Sequence, residues 1–171
     1  MMPEIQREPS NGRRIKLEWY EQVTAGVIGV LRRVESLRHG LTHNPPRPEL
    51  EEKYGHLMAR DIEAAGAEVA AARMIGRYWY AGVNQWDQCD VWPDVEVRWT
   101  EYKGGRLLLQ KKDKPDSPYV LVVGKFPDYE IVGWIRGRDG QREDWWKSRG
   151  RLLVARFAMW YRAKHFVRTS Q

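Results

Sequence analysis

Asp90, Glu96 and Arg98 are the residues of this sequence whose types and spacing could do chemistry. Residues i and i+2 of a β-strand share a face, so Glu96 and Arg98 point the same way if this segment is a strand. A turn at residues 92–94 would place Asp90 opposite Glu96, where two carboxylates repel each other unless a cation lies between them. Mg²⁺ takes one or two carboxylates with water and phosphate oxygens, and a neighbouring guanidinium can stabilise an attacked phosphate. The spacing therefore suggests metal-dependent phosphodiester chemistry, although an ordinary strand with a polar outer face has the same pattern.

The segment that carries these residues alternates apolar and polar side chains. Val95, Val97 and Trp99 occupy every second position, which predicts a strand over 95–102 with one buried face. Trp92-Pro93-Asp94 precedes it and is typical of a tight turn, because proline fixes φ and aspartate can bond its own backbone. The same turn would place Val91 opposite Val95.

Two helices are predicted before this strand. Apolar residues recur every three or four positions over 17–39, and Gly40 suits the end of a helix. A second helix is predicted over 49–77, with an alanine-rich run at 64–72 that contains Glu68 and with Gly76 near its end. Residues 41–48 read as a linker.

The second half of the chain is predicted to be mostly strands. A hairpin turn is expected at 103–105. Further strands are expected at 106–110, 119–123 and 129–135, a turn at 137–140, and a short helix at 143–148, while 152–167 fits a helix or a strand equally. This order predicts an α/β (α+β) fold with a mixed sheet flanked by helices. We expect a flexible tail at 1–16 and a single domain at 17–171.

The amino-acid composition favours a globular protein without disulfide bonds or a membrane-spanning segment. With 42% hydrophobic and 30% charged residues, the 171-residue chain has the composition of a globular protein. A single cysteine, Cys89, excludes an internal disulfide and a thiolate zinc site. No apolar run is long enough for a membrane span, and the N-terminus is polar, so we expect a cytoplasmic protein without a membrane partner.

The net charge of +6 lies at the C-terminal end. Residues 145–171 contain seven basic side chains and no acidic one, interleaved with aromatic residues. This composition suits a nucleic-acid backbone with stackable bases, or equally a packing helix with a solvated basic face. The candidate nucleic-acid-binding residues are Lys147, Arg149, Arg151, Arg156, Arg162 and Lys164.

Three short motifs, in this order, resemble the PD-(D/E)xK nuclease superfamily. Gly66-Ala67-Glu68-Val69-Ala70 is similar to its Gly-x-Glu-x-Ala helix, Asp90 to its aspartate (with Asp94 as the competing candidate), and Glu96-Val97-Arg98 to its Glu-x-Lys. The resemblance is closest to small phage-type members, on the segments 119–124 and 133–140. Arg98 stands where the superfamily usually has lysine, and it can grip a phosphate but cannot easily act as a base.

The resemblance implies a restriction-endonuclease-like core and an Mg²⁺-dependent endonuclease or exonuclease, with Mn²⁺ as a second metal. The catalytic residues would be Glu68, Asp90, Glu96 and Arg98, and the first three would hold the metal. It further implies a phage-encoded protein in a bacterial host cell, with DNA as the partner, RNA not excluded, and a homodimer or a larger phage assembly left open. The alternative is an inactive nuclease-fold module that binds nucleic acid or an acidic protein.

Overall fold

The computed structural model describes residues 14–40, 53–85, 87–141, 146–147 and 151–154. Within these ranges the chain has helices and a mixed four-stranded sheet, which confirms the predicted α+β class. None of the helices in the described ranges is long and apolar enough to cross a bilayer. The predicted linker at 41–48, most of the N-terminal tail and residues 155–171 lie outside these ranges.

Two antiparallel helices lie at the start of the domain. Helix α1 (Trp19–Arg38) begins where the Glu21 carboxylate accepts a 2.7 Å hydrogen bond from the Glu18 amide, and it ends before Gly40, whose φ is +61°. Helix α2 (Lys53–Ile75) ends at Gly76, whose φ is +69°. Glycine adopts this left-handed conformation without steric cost, so both predicted stops are confirmed.

The main sheet has the strand order β1-β5-β4-β2. Its strands are β1 (Arg14–Lys16), β2 (Glu96–Thr100), β4 (Pro118–Lys125) and β5 (Asp128–Arg136). β2 runs parallel to β4 with Glu96 beside Tyr119, whereas β5 is antiparallel to both β4 and β1. β2 is therefore an edge strand.

A second, three-stranded sheet has the order β3-β7-β6. It contains β3 (Leu107–Gln110), β6 (Trp146–Lys147) and β7 (Arg151–Val154), and the short helix α3 (Gly137–Gly140) precedes β6. Leu107 and Leu109 pack with residues of the main sheet, namely Tyr119, Leu121, Val123 and Ile135. β4 is consequently buried on both of its faces.

The main core lies between α2 and the other face of the main sheet. Five alanines of α2 pack against Val91 and Val95, which flank the turn at 92–94, and against valines of β2 and β4. Trp79, Trp99 and Trp134 pack against this core as half-buried side chains. Small side chains let α2 approach the sheet closely. Glu68 lies on this buried face of α2.

Several sequence predictions need correction. Residues 14–16, assigned to the tail, form β1, because they pair with β5. Residues 103–105 form a turn but no hairpin, because β2 and β3 belong to different sheets. Trp146 and Lys147, placed in a short helix, form β6, and residues 151–154 of the undecided segment form β7.

Candidate functional site

A tight turn at residues 92–94 creates the geometry on which the site depends. Val91 and Val95 exchange two backbone hydrogen bonds of 3.0 and 2.9 Å, and both side chains are fully buried. The predicted register is thereby confirmed. Because Val91 pairs with Val95, the next pair outward is Asp90 and Glu96.

Asp90 is held at the edge of β2 by the backbone. Its Oδ2 accepts a 2.7 Å hydrogen bond from the amide of Val97, the residue between Glu96 and Arg98. Burial, and after it the negative charge of Glu68 with a further contribution from Glu96, raises the pKa of Asp90 to about 8. Without a bound metal ion, the Asp90 carboxyl therefore keeps its proton to a higher pH than an ordinary aspartate.

Glu96 and Arg98 both lie on the outer face of β2, and each meets a side chain from the loop between β3 and β4. The Lys114 Nζ lies 3.2 Å from Glu96 Oε1, and the Arg98 Nη2 lies 3.3 Å from Asp113 Oδ1. Arg98 Nη1 is 4.0 Å from Glu96 Oε2, so its closer ion pair is the one with Asp113. Lys114 is thus the nearest cation to Glu96.

Arg98 is further restrained by an aromatic ring. Its guanidinium carbon lies 5.0 Å from the centre of the Tyr119 ring, within cation–π distance. Burial and the nearby charges of Asp113 and Glu96 raise the pKa of Tyr119 to about 12, so the phenol stays neutral. Arg98 is therefore oriented beside Glu96 rather than free in solvent.

Glu68 is engaged by a different set of partners. Arg32 of α1 donates two hydrogen bonds of 2.7 and 2.8 Å to its two carboxylate oxygens, and Trp79 Nε1 donates a third of 2.9 Å. Burial opposes the charge of Arg32, but the hydrogen bond and attraction from Glu68 outweigh it and raise the pKa of Arg32. The two residues form a bidentate buried ion pair.

The pleat of β2 separates these groups. Val97 packs in the core beside the alanines of α2, whereas Arg98 lies over Tyr119, which packs in the cluster on the opposite face. Glu68 and Glu96 therefore approach Asp90 from opposite faces of the sheet. Across the described ranges, no three His, Cys, Asp or Glu side chains form a metal-binding group. The structure brings Asp90 near each glutamate but does not bring all three carboxylates together.

Three residues at the site were missed by the sequence analysis: Arg32, Asp113 and Lys114. The parallel register of β2 and β4 brings the loop before β4 to the start of β2, and that pairing has no local sequence signal. Arg32 had one signal. Ala25, Gly29 and Ser36 are small residues that recur along one face of α1 and are buried against α2 or the segment after it. Arg32 lies on the same face, so a charged side chain interrupts a row of small ones.

The other candidates fall away from the site or outside the described ranges. Asp94, the competitor of Asp90, is half exposed and pairs with Arg77 at 3.4 Å. Burial raises the pKa of the Cys89 thiol, which makes it a poor nucleophile at neutral pH. The side chains of the basic segment 145–171 lie outside the described ranges.

No model of a known protein family matches this chain. No curated protein and no solved structure matches it either. The resemblance to PD-(D/E)xK nucleases therefore remains a prediction that rests on the order of its motifs.

Proposed function

We propose that this protein is a metal-dependent phosphodiester hydrolase that cleaves DNA, with Asp90 and Glu96 as the ligands of Mg²⁺ or Mn²⁺. The observation that carries this proposal is the Val91–Val95 pairing, which places two acidic side chains next to each other at a sheet edge. Such a pair repels itself and is stabilised when a cation binds between its members.

The carboxylate oxygens of Asp90 and Glu96 are ligands that suit a hard divalent cation. Hydrogen bonds from the described part of the chain reach only one oxygen of Asp90, Oδ2, so Oδ1 can face a ligand. Glu96 is mostly buried, with a lysine on one oxygen. Magnesium is usually bound by one or two carboxylates, with water and phosphate oxygens as its other ligands. When bound, the metal would lower the pKa of a water molecule and polarise the phosphate.

Lys114 and Arg98 would act on the phosphate in this proposal. Both cations flank Glu96, and a phosphate oxygen approaching the site would meet the ammonium of Lys114, whose side chain is 46% exposed. The guanidinium of Arg98 can contact a phosphate through two nitrogens and would stabilise negative charge that develops in the transition state. Lys114 thus supplies the lysine that the Glu96-Val97-Arg98 motif lacks.

Glu68 takes an indirect role. Both of its oxygens already receive hydrogen bonds from Arg32 or Trp79, so direct metal binding would require a buried ion pair to open. In this proposal Glu68 orients Arg32, and its negative charge raises the pKa of Asp90. The basic residues of 145–171 would hold the DNA backbone, and we place the protein in the cytoplasm of a bacterial host, encoded by a phage.

A plasmid-cleavage assay with Mg²⁺ or Mn²⁺ tests the function. Wild-type protein should nick or linearise the plasmid, and both Asp90→Asn and Glu96→Gln should lower the rate on the order of 100-fold or more. Glu101→Gln is the matched control, because Glu101 is an exposed acid beyond the end of β2 that pairs with Lys125. Equal, metal-independent cutting by wild type and Glu96→Gln would refute the proposal.

A second candidate is a catalytically inactive module that binds nucleic acid or an acidic protein as a phage accessory or assembly protein. The observation in its favour is that Glu68, Glu96 and Arg98 each already have an oppositely charged partner in the described ranges. It predicts salt-sensitive DNA binding with no divalent-ion requirement and no cleavage.

A further inference from the structure

Helix α1 presents an apolar stripe to solvent along its whole length. We define the α1 stripe as eight side chains that are each 36–74% exposed: Trp19, Tyr20, Val23, Val27, Val30, Leu31, Val34 and Leu37. Large apolar residues are costly in water, and a continuous row of them marks an interaction surface. The stripe plays no part in the site around Asp90.

The spacing within the stripe is that of a coiled-coil seam. Six members follow each other at steps of three, four, three, four and three residues: Tyr20, Val23, Val27, Val30, Val34 and Leu37. A strict repeat of 3.5 residues keeps one face toward a partner helix, whereas the broader pattern of 3.6 suits a helix lying on a core. This spacing suits a second helix that lies along α1.

Helix α2 already uses the opposite face of α1. Ala25, Gly29 and Ser36 are buried on that side, and Arg33 pairs with Asp61 of α2 at 2.8 Å. The monomer therefore packs α1 through small residues and leaves the large ones outside. This division of faces would allow α1 to contact α2 and a second partner at the same time.

Charge and area both suit a second copy of the chain. The six seam positions are uncharged, and the exposed Arg38 is paired with Glu35 of the same helix, so two stripes can meet without unpaired like charges. The eight side chains are about half exposed on average and run the full length of α1, about 30 Å for its 20 residues, so a second copy of α1 would cover this apolar area from end to end.

We propose that the α1 stripe is the interface of a homodimer in which the α1 helices of two copies pack along each other. A twofold axis places the same stripe on both sides, so the surface is self-complementary. The α1 and α2 helices of both copies then form a four-helix layer at the centre of the dimer. The inference is independent of the nuclease proposal.

Sedimentation equilibrium of the 171-residue chain over roughly 1 to 100 μM tests the proposal. Wild type should sediment at twice the chain mass of 20.2 kDa. Val23→Glu/Val27→Glu should sediment as a monomer, with a dissociation constant raised at least about 100-fold by two charges buried on each side. Tyr78→Glu/Tyr102→Glu, which alters two exposed aromatics outside α1, should remain a dimer.

Two results would overturn the proposal: a wild-type monomer at every concentration, or a Val23→Glu/Val27→Glu protein that still dimerises. A monomer would mean that another segment of the chain, or a different protein, covers the stripe. Val34→Lys/Leu37→Lys at the other end of the helix is the second variant. If circular dichroism shows that both double variants are unfolded, the stripe belongs to the core of the monomer and the proposal is wrong.

Discussion

At the scale of single residues, Asp90 combines burial with like charge on both sides. It is tied to the Val97 amide, Glu68 lies toward one face of the sheet, and Glu96 lies toward the other. Its position opposite Glu96 was predictable from the turn at 92–94 and from the alternation of apolar and polar side chains after that turn. Its raised pKa was not, because Glu68 reaches it through the packing of α2 on the sheet.

The pKa of Asp90 predicts how stability changes with pH. The folded-state pKa, about 8, exceeds the ordinary value of 3.8. The folded protein therefore holds the proton more tightly than the unfolded chain, and the stability that this contributes is complete below pH about 4 and lost as the pH rises through about 8. In EDTA, Asp90→Asn should match wild type at low pH and melt at least about 3 °C higher at pH 9.

Asp94→Asn is the control for this comparison, since Asp94 is half exposed on the same turn. Its melting temperature should follow that of wild type at every pH. Melting curves for Asp90→Asn that run parallel to wild type from pH 4 to about 9 would show that Asp90 has an ordinary pKa.

Removing only Arg32 should destabilise the protein far more than replacing both Arg32 and Glu68 with apolar residues. Their side chains are 17% and 8% exposed, so Arg32→Met leaves a buried carboxylate without its cation. We expect this variant to lose about 3–5 kcal/mol in urea denaturation, and Arg32→Met/Glu68→Leu to recover much of that loss. A double variant less stable than Arg32→Met would contradict this account of the pair.

At the scale of elements, the sequence predicted where helices and strands lie better than which of their faces are buried. The period of α1 and the Gly40 stop were readable because both depend on neighbouring residues. The buried face was not, since the valines that reveal the helix lie outside and Gly29 lies inside. Close helix packing selects small residues, which carry little hydrophobic signal.

This packing predicts opposite effects for two glycines of α1. A Cβ at Gly29 would overlap the backbone of Ile62 in α2, whereas a Cβ at Gly26 would meet no atom within 4 Å. Gly29→Ala should therefore destabilise the protein by about 1–3 kcal/mol, and Gly26→Ala should stabilise it by roughly 0.5–1 kcal/mol through helix propensity. Chemical denaturation of both variants measures this, and equal effects of the same sign would mean that α1 and α2 are not in close contact.

At the scale of the whole molecule, pairing between strands that are distant in sequence determines which residues surround the site, and the sequence gives no sign of that pairing. β2 pairs with β4, more than twenty residues further along the chain, and this pairing brings Lys114 and Asp113 to the site. The expected hairpin at 103–105 failed for the same reason, because β3 joins a second sheet. Parallel pairing after a long crossover leaves no turn motif to read. Asp90, Glu96 and Arg98 were found because they are close in sequence, whereas their partners were not.

If Asp90 and Glu96 together hold a divalent cation, a crystal of the protein soaked in Mn²⁺ will show the ion between them. We predict an anomalous peak at roughly 2.0–2.3 Å from a carboxylate oxygen of each residue, the distance expected for a hard divalent ion. The peak should be absent from Asp90→Asn crystals soaked in parallel. Wild-type crystals with no manganese between these carboxylates at millimolar concentration would contradict the account.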